Sequence, residues 1–310
     1  MFDDQSIPMI LTTSLVPGCD EVLQRTKIES WQKLGFEVIS VNGAKEAKAL
    51  EGLYPSVKIA VIEKTAERIA GKPVPYIHDL VKVLRNRCAE HNKALNQCIV
   101  GIINSDIYLR PVPNLPEIIH TQTPGAIILG PRVDVNDVSD LETYCSSGSE
   151  TYSVGYDYFL ISGELLDDFD ESPFAMGMPF WDYWLPLVAL LNGRTLRSLN
   201  APVALHVNHK TQWDDSVYFF FHSLVSYVIE LCKKTAGHDE SASSRQFDFL
   251  FEALSHIYRH VFTQGTTPGE NLSAPDPACI STLADFYDRF QEIIVHQIKS
   301  RAETITVPEA

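Results

Sequence analysis

The sequence predicts an α/β fold in which a mostly parallel central sheet is flanked by helices, followed by an all-helical carboxyl-terminal extension. Three observations carry this. Apolar, β-favouring runs alternate with helical-period runs over the first two-thirds of the chain, an order that needs crossovers and so favours parallel strands. One run, Cys98-Ile99-Val100-Gly101-Ile102-Ile103, is apolar almost throughout, as a strand buried on both faces must be. From about Ser216 the strand-like runs stop, and helical stretches follow, joined by linkers rich in Gly, Ser, Thr and Pro. The expected organisation is a first domain over residues 1–215 and a helical extension over 216–310.

Met9-Ile10-Leu11-Thr12-Thr13-Ser14-Leu15 reads as the first strand, ending in hydroxyls and stopped by Pro17-Gly18. Val22, Ile28, Trp31 and Leu34 recur at roughly helical spacing, with Gly35 as the stop. Phe36 to Val41 is the second strand, ending at Asn42-Gly43, and a short helix from Ala44 to Leu53 leads to a third strand, Val57 to Ile62. Gly71-Lys72-Pro73-Val74-Pro75 interrupts the pattern as a rigid loop, and a basic-faced helix from Ile77 to Ala94 leads into the central strand. A further strand covers Ala126 to Gly130. Arg132 to Ser153 is polar, with Ser146-Ser147-Gly148-Ser149 at its centre, and reads as a mobile loop over a site. Tyr156 to Ile161 is another strand, Trp181 to Leu191 a helix closed by Asn192-Gly193, and Pro202 to Val207 the last strand. Helical stretches over 217–234, 247–262 and 280–301 point to packing or self-association, including a homo-oligomer through the tail.

The formal charge is −15, from 25 basic and 40 acidic side chains, and no long basic run occurs. This argues against nucleic acid as the main partner and against an electrostatic hold on an anionic membrane. An anionic substrate would need a local correction from a cation or a few placed basic residues. The six cysteines include no Cys-x-x-Cys pair, which fits a reducing compartment. Met1 to Pro8 carries two acids and no long apolar region, so no secretory signal is expected. No uncharged apolar run of about 18 residues marks a membrane span. The expectation is a soluble cytoplasmic protein.

Polar residues gather at the strand ends, where ligands sit in open α/β sheets. Thr13 and Ser14 end the first strand, Asn42 the second, Asn104 and Asp106 the central one, and His206 the last. A short triplet such as Asn104-Ser105-Asp106 suits a hard cation that also holds substrate phosphates. Asn and Asp also end strands simply as turn formers. Asp182 stands at a helix start, where an anion is stabilised, and capping is a second reading for it.

The order of these features resembles a GT-A-fold glycosyltransferase, the nucleotide-sugar-dependent class. More narrowly, the chain is similar to a bacterial-type group with an Asn-x-Asp in place of Asp-x-Asp. The carriers are Trp31 with Leu34-Gly35-Phe36-Glu37-Val38, then Gly71-Lys72-Pro73, Asn104-Ser105-Asp106, Trp181-Asp182 and His206-Val207-Asn208-His209. The resemblance covers roughly residues 8 to 212. It implies a divalent cation, manganese or magnesium, held by Asp106 with His206 or His209. It implies nucleotide and donor contacts from Thr13, Ser14, Asn42, Lys72, Asn104 and Ser105. Asp157, Trp181 and Trp184 would meet donor sugar or acceptor, and Asp182 would be the general base of an inverting transfer to a glycan. Asn104 departs from the usual acid, so the metal is expected to be weakly bound or dispensable.

Two other readings stand beside this one. A sugar nucleotidyltransferase would want a Gly-rich, basic phosphate loop after the first strand, where Thr13-Ser14-Leu15-Val16-Pro17-Gly18 stands instead. A catalytically silent sugar-nucleotide or glycan-binding module of a polysaccharide assembly complex would tolerate Asn104.

Overall fold

The structure, a computed structural model, describes residues 7–144, 152–153, 155–169, 171–208, 219–227 and 294–308. In chain order, β1 (Met9–Thr13) leads through α1 (Glu21–Lys33) to β2 (Glu37–Gly43), and α2 (Ala44–Leu50) leads to β3 (Lys58–Ile62). A short α3 (Glu67–Ala70) and a long α4 (Ile77–Glu90) bring the chain back to β4 (Ile99–Ile103). Then come β5 (Ile107–Leu109), α5 (Leu115–Gln122), β6 (Ala126–Leu129), β7 (Arg132–Val135) and a short α6 (Asp140–Thr143). They are followed by β8 (Tyr158–Ser162), α7 (Trp181–Leu191), β9 (Thr195–Leu199), β10 (Ala204–Val207) and β11 (Glu303–Ile305).

The central sheet has eight strands in the order β11-β9-β6-β8-β4-β1-β2-β3. Neighbours are parallel except at β8, which runs antiparallel to both β4 and β6. The sheet is therefore mostly parallel, with helices on its faces, as the alternation of sequence patterns predicts. β4 is buried along its whole length. Gly101 at its middle is set by close packing: a Cβ there would lie 2.5 Å from Leu11 Cδ1 and 3.0 Å from the Phe159 carbonyl oxygen. Thr12 Oγ1 donates to the Gly101 carbonyl at 3.1 Å and ties β1 to β4.

A second, three-stranded sheet has the order β5-β10-β7, with β10 antiparallel to β5 and parallel to β7. This corrects the reading of 132–153 as a polar loop, because Arg132-Val133-Asp134-Val135 is a strand. Val133 and Val135 turn to a small apolar cluster with Tyr108, Leu141 and Leu205, while Arg132 and Asp134 stay half-buried on the other face. Ser146 to Ser149 lie outside the described residues.

The carboxyl-terminal extension is not all helical. β11 adds to the edge of the central sheet beside β9, with Glu303 opposite Arg197 and an ion pair between them at 3.0 Å. β-Branched Thr304 and Ile305 suit the strand. Ile305 and Val307 join the core cluster that holds Tyr158 and Leu199. Helical residues 219–227 and 294–301 pack on the other face: Phe220, Leu224, Ile294 and Ile298 are buried in the cluster that holds Trp181 and Trp184. Each such side chain contributes about 1.5–3 kcal/mol of burial free energy. The helical stretch expected over 247–262 lies outside the described residues.

A candidate active site at the carboxyl ends of the strands

In the strand order β3-β2-β1-β4, the connections change sense between β1 and β4. That opens a crevice at their carboxyl ends. The antiparallel β8 brings its amino-terminal end, with Gly155, Tyr156 and Asp157, to the same edge. Two groups of polar side chains meet there.

The first group is a closed corner at the ends of β1 and β2. Asn42, fully buried, donates through Nδ2 to Ser14 Oγ at 3.3 Å, to the Leu15 carbonyl at 3.0 Å and to Glu46 Oε2 at 3.0 Å. Its Oδ1 accepts from Ser40 Oγ at 2.6 Å, and Ser40 Oγ in turn accepts from the Leu15 N–H at 2.9 Å. Thr13 is fully buried beside them. Ser14, Ser40 and Asn42 are engaged with one another and hold the turn after β1, whereas Thr13 Oγ1 is buried with no hydrogen-bond partner. They face the protein interior, so the expected contacts of Thr13, Ser14 and Asn42 with a nucleotide find no exposed side chain here.

The second group is a charged corner at the ends of β4, β7, β8 and β10. Asn104 Nδ2 donates to Asp157 Oδ1 at 2.6 Å, and the Asn104 N–H donates to the Asp157 carbonyl at 2.9 Å. An acid at position 104 would set two carboxylates against each other, which gives a local reason for Asn-x-Asp. The Arg132 guanidinium pairs with Asp157 Oδ2 at 2.5 Å and with Asp134 Oδ1 at 3.0 Å. Asp134 Oδ1 also lies 2.9 Å from His206 Nδ1, and His206 Nε2 lies 3.4 Å from Asp106 Oδ2. One ring thus joins the carboxylate expected to hold a cation to the neighbouring strand.

That arrangement bears on a metal. A histidine whose Nδ1 is held by a carboxylate presents its Nε2 lone pair on the opposite side, the usual outer support of a metal-bound imidazole. His206 Nε2 and Asp106 face each other in this way, and the pair fits a manganese- or magnesium-like cation completed by substrate oxygens and water. Among the described residues no group of three or more His, Cys, Asp or Glu side chains could hold a metal ion. His209 lies outside the described residues.

Asp182 begins α7 and reaches into the charged corner. Its Oδ2 accepts the Tyr156 N–H at 3.2 Å. Gly155, at φ +102°, makes room for it, since a Cβ there would stand 2.7 Å from Asp182 Oδ2. Burial and then the Asp157 charge push the Asp182 carboxyl up to about 7, with the Tyr156 N–H and Arg132 opposing. Burial also raises Asp157, against the pull of Arg132 and Asn104. Phe180, just before the helix, is left-handed at φ +73°. For a bulky residue that costs about 1–3 kcal/mol, a strain that clusters at functional sites.

Other expected contacts are not brought together. Trp181 and Trp184, 2 % and 1 % exposed, are core rings: Trp181 packs edge-on against Phe159, and Trp184 stacks on Phe174. Neither face is open to a sugar, because α7 is buried on nearly every side, with Trp184 also against Phe169 and Tyr227. Lys72 lies in the turn after α3, where its carbonyl accepts the Val74 N–H. Ser105 contributes its carbonyl, which accepts Gln24 Nε2 at 2.9 Å. Arg132 and Asp134 were not anticipated as site residues, although the apolar–polar alternation through Val135 signals a half-buried strand.

No family model matches the sequence, and no curated protein matches it either. Among solved structures, the chain is similar to a mannosyltransferase of Pyrobaculum calidifontis in complex with GDP-Man and Mn2+, at 12% identity over 93% of this chain and 85% of that one, with a TM-score of 0.40. It is also similar to a mannose-1-phosphate geranyltransferase of Thermus thermophilus, at 7% identity over 67% of this chain and 75% of that one, TM-score 0.31. A glycosyltransferase involved in glycosylating the major capsid of PBCV-1 shares 10% identity over 52% of this chain and 62% of that one, TM-score 0.27.

Proposed function

We propose that the chain is a glycosyltransferase that moves a sugar from a nucleoside-diphosphate sugar to a hydroxyl of a glycan acceptor, with inversion. The observation that carries this reading is the charged corner. It sets a carboxyl pushed up to about 7, Asp182, at one crevice edge with the facing pair Asp106 and His206. A general base works best when its pKa lies near the operating pH. In the proposed step the acceptor oxygen forms a bond to the anomeric carbon as the bond from that carbon to the diphosphate oxygen breaks. The hydroxyl proton goes to Asp182, and the electron pair leaves with the diphosphate. Asp106 and His206 would hold a divalent cation, whose chemistry is to neutralise charge on the leaving diphosphate. Asn104 and Arg132 fix Asp157 between the two halves of the site and keep its charge compensated. Among the described residues no helix is long and apolar enough to cross a membrane.

The test is calorimetric titration of the full chain with UDP, GDP, CDP and TDP, each with manganese and with chelator. One nucleotide is expected to bind more tightly with manganese, and Asp106→Ala to lose that gain. Failure of all four to bind under either condition removes the proposal.

A further inference from the structure

The turn that carries Asp106 takes the chain from the central sheet to the three-stranded one, from the end of β4 to β5. One face of α1 holds this turn. Gln24 Nε2 donates to the Ser105 carbonyl at 2.9 Å, Trp31 Nε1 donates to the Ile107 carbonyl at 3.0 Å, and Ser30 Oγ accepts the Leu109 N–H at 3.1 Å. Asp106 thus has a pinned carbonyl on the residue before it and another on the residue after it. The Ile107 N–H closes the turn on the Asn104 carbonyl at 3.3 Å, and the Asn104 N–H donates to the Asp157 carbonyl at 2.9 Å.

Gln24 does more than hold one carbonyl. It is only 4 % exposed, and its other amide atom, Oε1, accepts the Cys19 thiol at 3.7 Å. Cys19 belongs to the turn between β1 and α1, which is fixed in its own right: the Leu15 N–H donates to Ser40 Oγ, and Asn42 Nδ2 donates to the Leu15 carbonyl. One buried carboxamide therefore ties the chain leaving β1 to the chain leaving β4, the two strands between which the crevice opens. A primary amide can donate and accept at once without carrying charge. An apolar side chain of the same length would fill the space and leave the Ser105 carbonyl without its donor. Gln32, about two turns further along α1, makes a bond of the same kind away from the site. Its Nε2 donates at 3.1 Å to the carbonyl of Ser56, just before β3 and so at the amino-terminal ends of the strands.

We propose that Gln24 is a positioning residue of the donor site: by holding the Ser105 carbonyl against the turn after β1, it fixes where the Asp106 carboxylate faces His206. This rests on the reading of the site as a cation-assisted nucleotide-sugar transferase. The role does not require Gln24 to touch donor or cation. It acts through the peptide that joins Ser105 to Asp106, as the outer partners of metal ligands do, whose removal costs about 10- to 100-fold in metal affinity.

The test is calorimetry on the full chain with UDP, GDP, CDP and TDP, each with manganese and with chelator, for the native chain, Gln24→Met, Gln32→Met and Asp106→Ala. In Gln24→Met the affinity that the diphosphate gains from manganese is expected to fall about tenfold or more, with binding in chelator unchanged. Gln32→Met should keep the whole gain, since it loses the same kind of bond elsewhere on the helix. Adding Gln24→Met to Asp106→Ala should change nothing further, because the two residues act as one unit. An undiminished gain in Gln24→Met overturns the inference. An equal loss with and without manganese, or an equal loss in Gln32→Met, overturns it too, because Gln24 is then an ordinary tie of the fold. If Gln24→Met does not fold, Gln24→Asn takes its place: it keeps the amide, shortens its reach by one methylene, and must lower the manganese gain alone. A diphosphate that binds the native chain with no gain from manganese removes the role of Gln24 and leaves nucleotide binding standing. If none of the four binds under either condition, both fall.

Discussion

At the ends of β1 and β2, Ser14, Ser40 and Asn42 form a buried set whose groups bond to one another and to Leu15, with Glu46 at the margin and the Thr13 hydroxyl buried without a partner beside them. At the ends of β4, β7 and β8, Asp106, Asp134, Asp157 and Asp182 gather around Arg132 and His206 with part of their surface open. Both corners occupy the same edge of one sheet. The neutral one is satisfied internally at Ser14, Ser40 and Asn42, which is how a fold holds a turn, and leaves the Thr13 hydroxyl without a partner. The charged one keeps the Asp157 and Asp182 carboxyls in surroundings that disfavour their ionised form, a feature that clusters at functional sites. Position at a strand end is therefore no guide to role; the state of each polar group is.

The contrast can be broken most sharply at Asp182. Asp182→Asn is expected to lower turnover about 10²- to 10⁴-fold, the range of general-base catalysis, measured as nucleoside diphosphate release from a nucleotide sugar. The same change should stabilise the fold at neutral pH. The folded carboxyl titrates at about 7 against an ordinary 3.8, so the native state binds more protons between those values. Stability from this group is present at pH below 3.8 and is lost as pH rises through about 7. Denaturant titrations at pH 5 and pH 8 should show that fall in the native chain and its reduction in Asp182→Asn. Next in size is Asn104→Asp, which sets a carboxylate where an amide now donates to Asp157 at 2.6 Å. A loss of about 1–3 kcal/mol in denaturant stability is expected, because a buried acceptor loses its donor. In the neutral corner, Asn42→Ala should cost a similar about 1–3 kcal/mol, yet leave turnover per folded molecule unchanged. The smallest effect is expected where α1 meets β5: Ser30→Ala removes the acceptor of the Leu109 N–H and about 1 kcal/mol in the same assay.

Much of the sheet was legible because β1, β2, β4 and β6 are dense in β-branched and apolar residues. β5 and β9 were not. β5 is a three-residue strand stabilised by α1 and β10, and Thr195-Leu196-Arg197-Ser198-Leu199 has the pattern of an edge-like strand that needs β6 and β11 as partners. In the site, Asp106, His206 and Asp182 could be named from their places after strands or before a helix. Arg132 and Asp134 could not, because their pairings with Asp157 and His206 run across long sequence distances that a single helix or strand pattern does not record. The aromatic pair Trp181 and Trp184 misled for the opposite reason: their type suits sugar stacking, and only tertiary packing shows that both belong to the core.

The role of the charged corner is tested most directly by the pH dependence of nucleoside diphosphate release from UDP-, GDP-, CDP- and TDP-sugars with water or a glycan as acceptor. The native chain should release one diphosphate at a rate that climbs with pH through about 7, the value at which Asp182 ionises, and Asp182→Asn should lose both the rate and the climb. A rate that is flat from pH 5 to 9, or that survives in Asp182→Asn, would contradict the assignment of the charged corner as the site of sugar transfer.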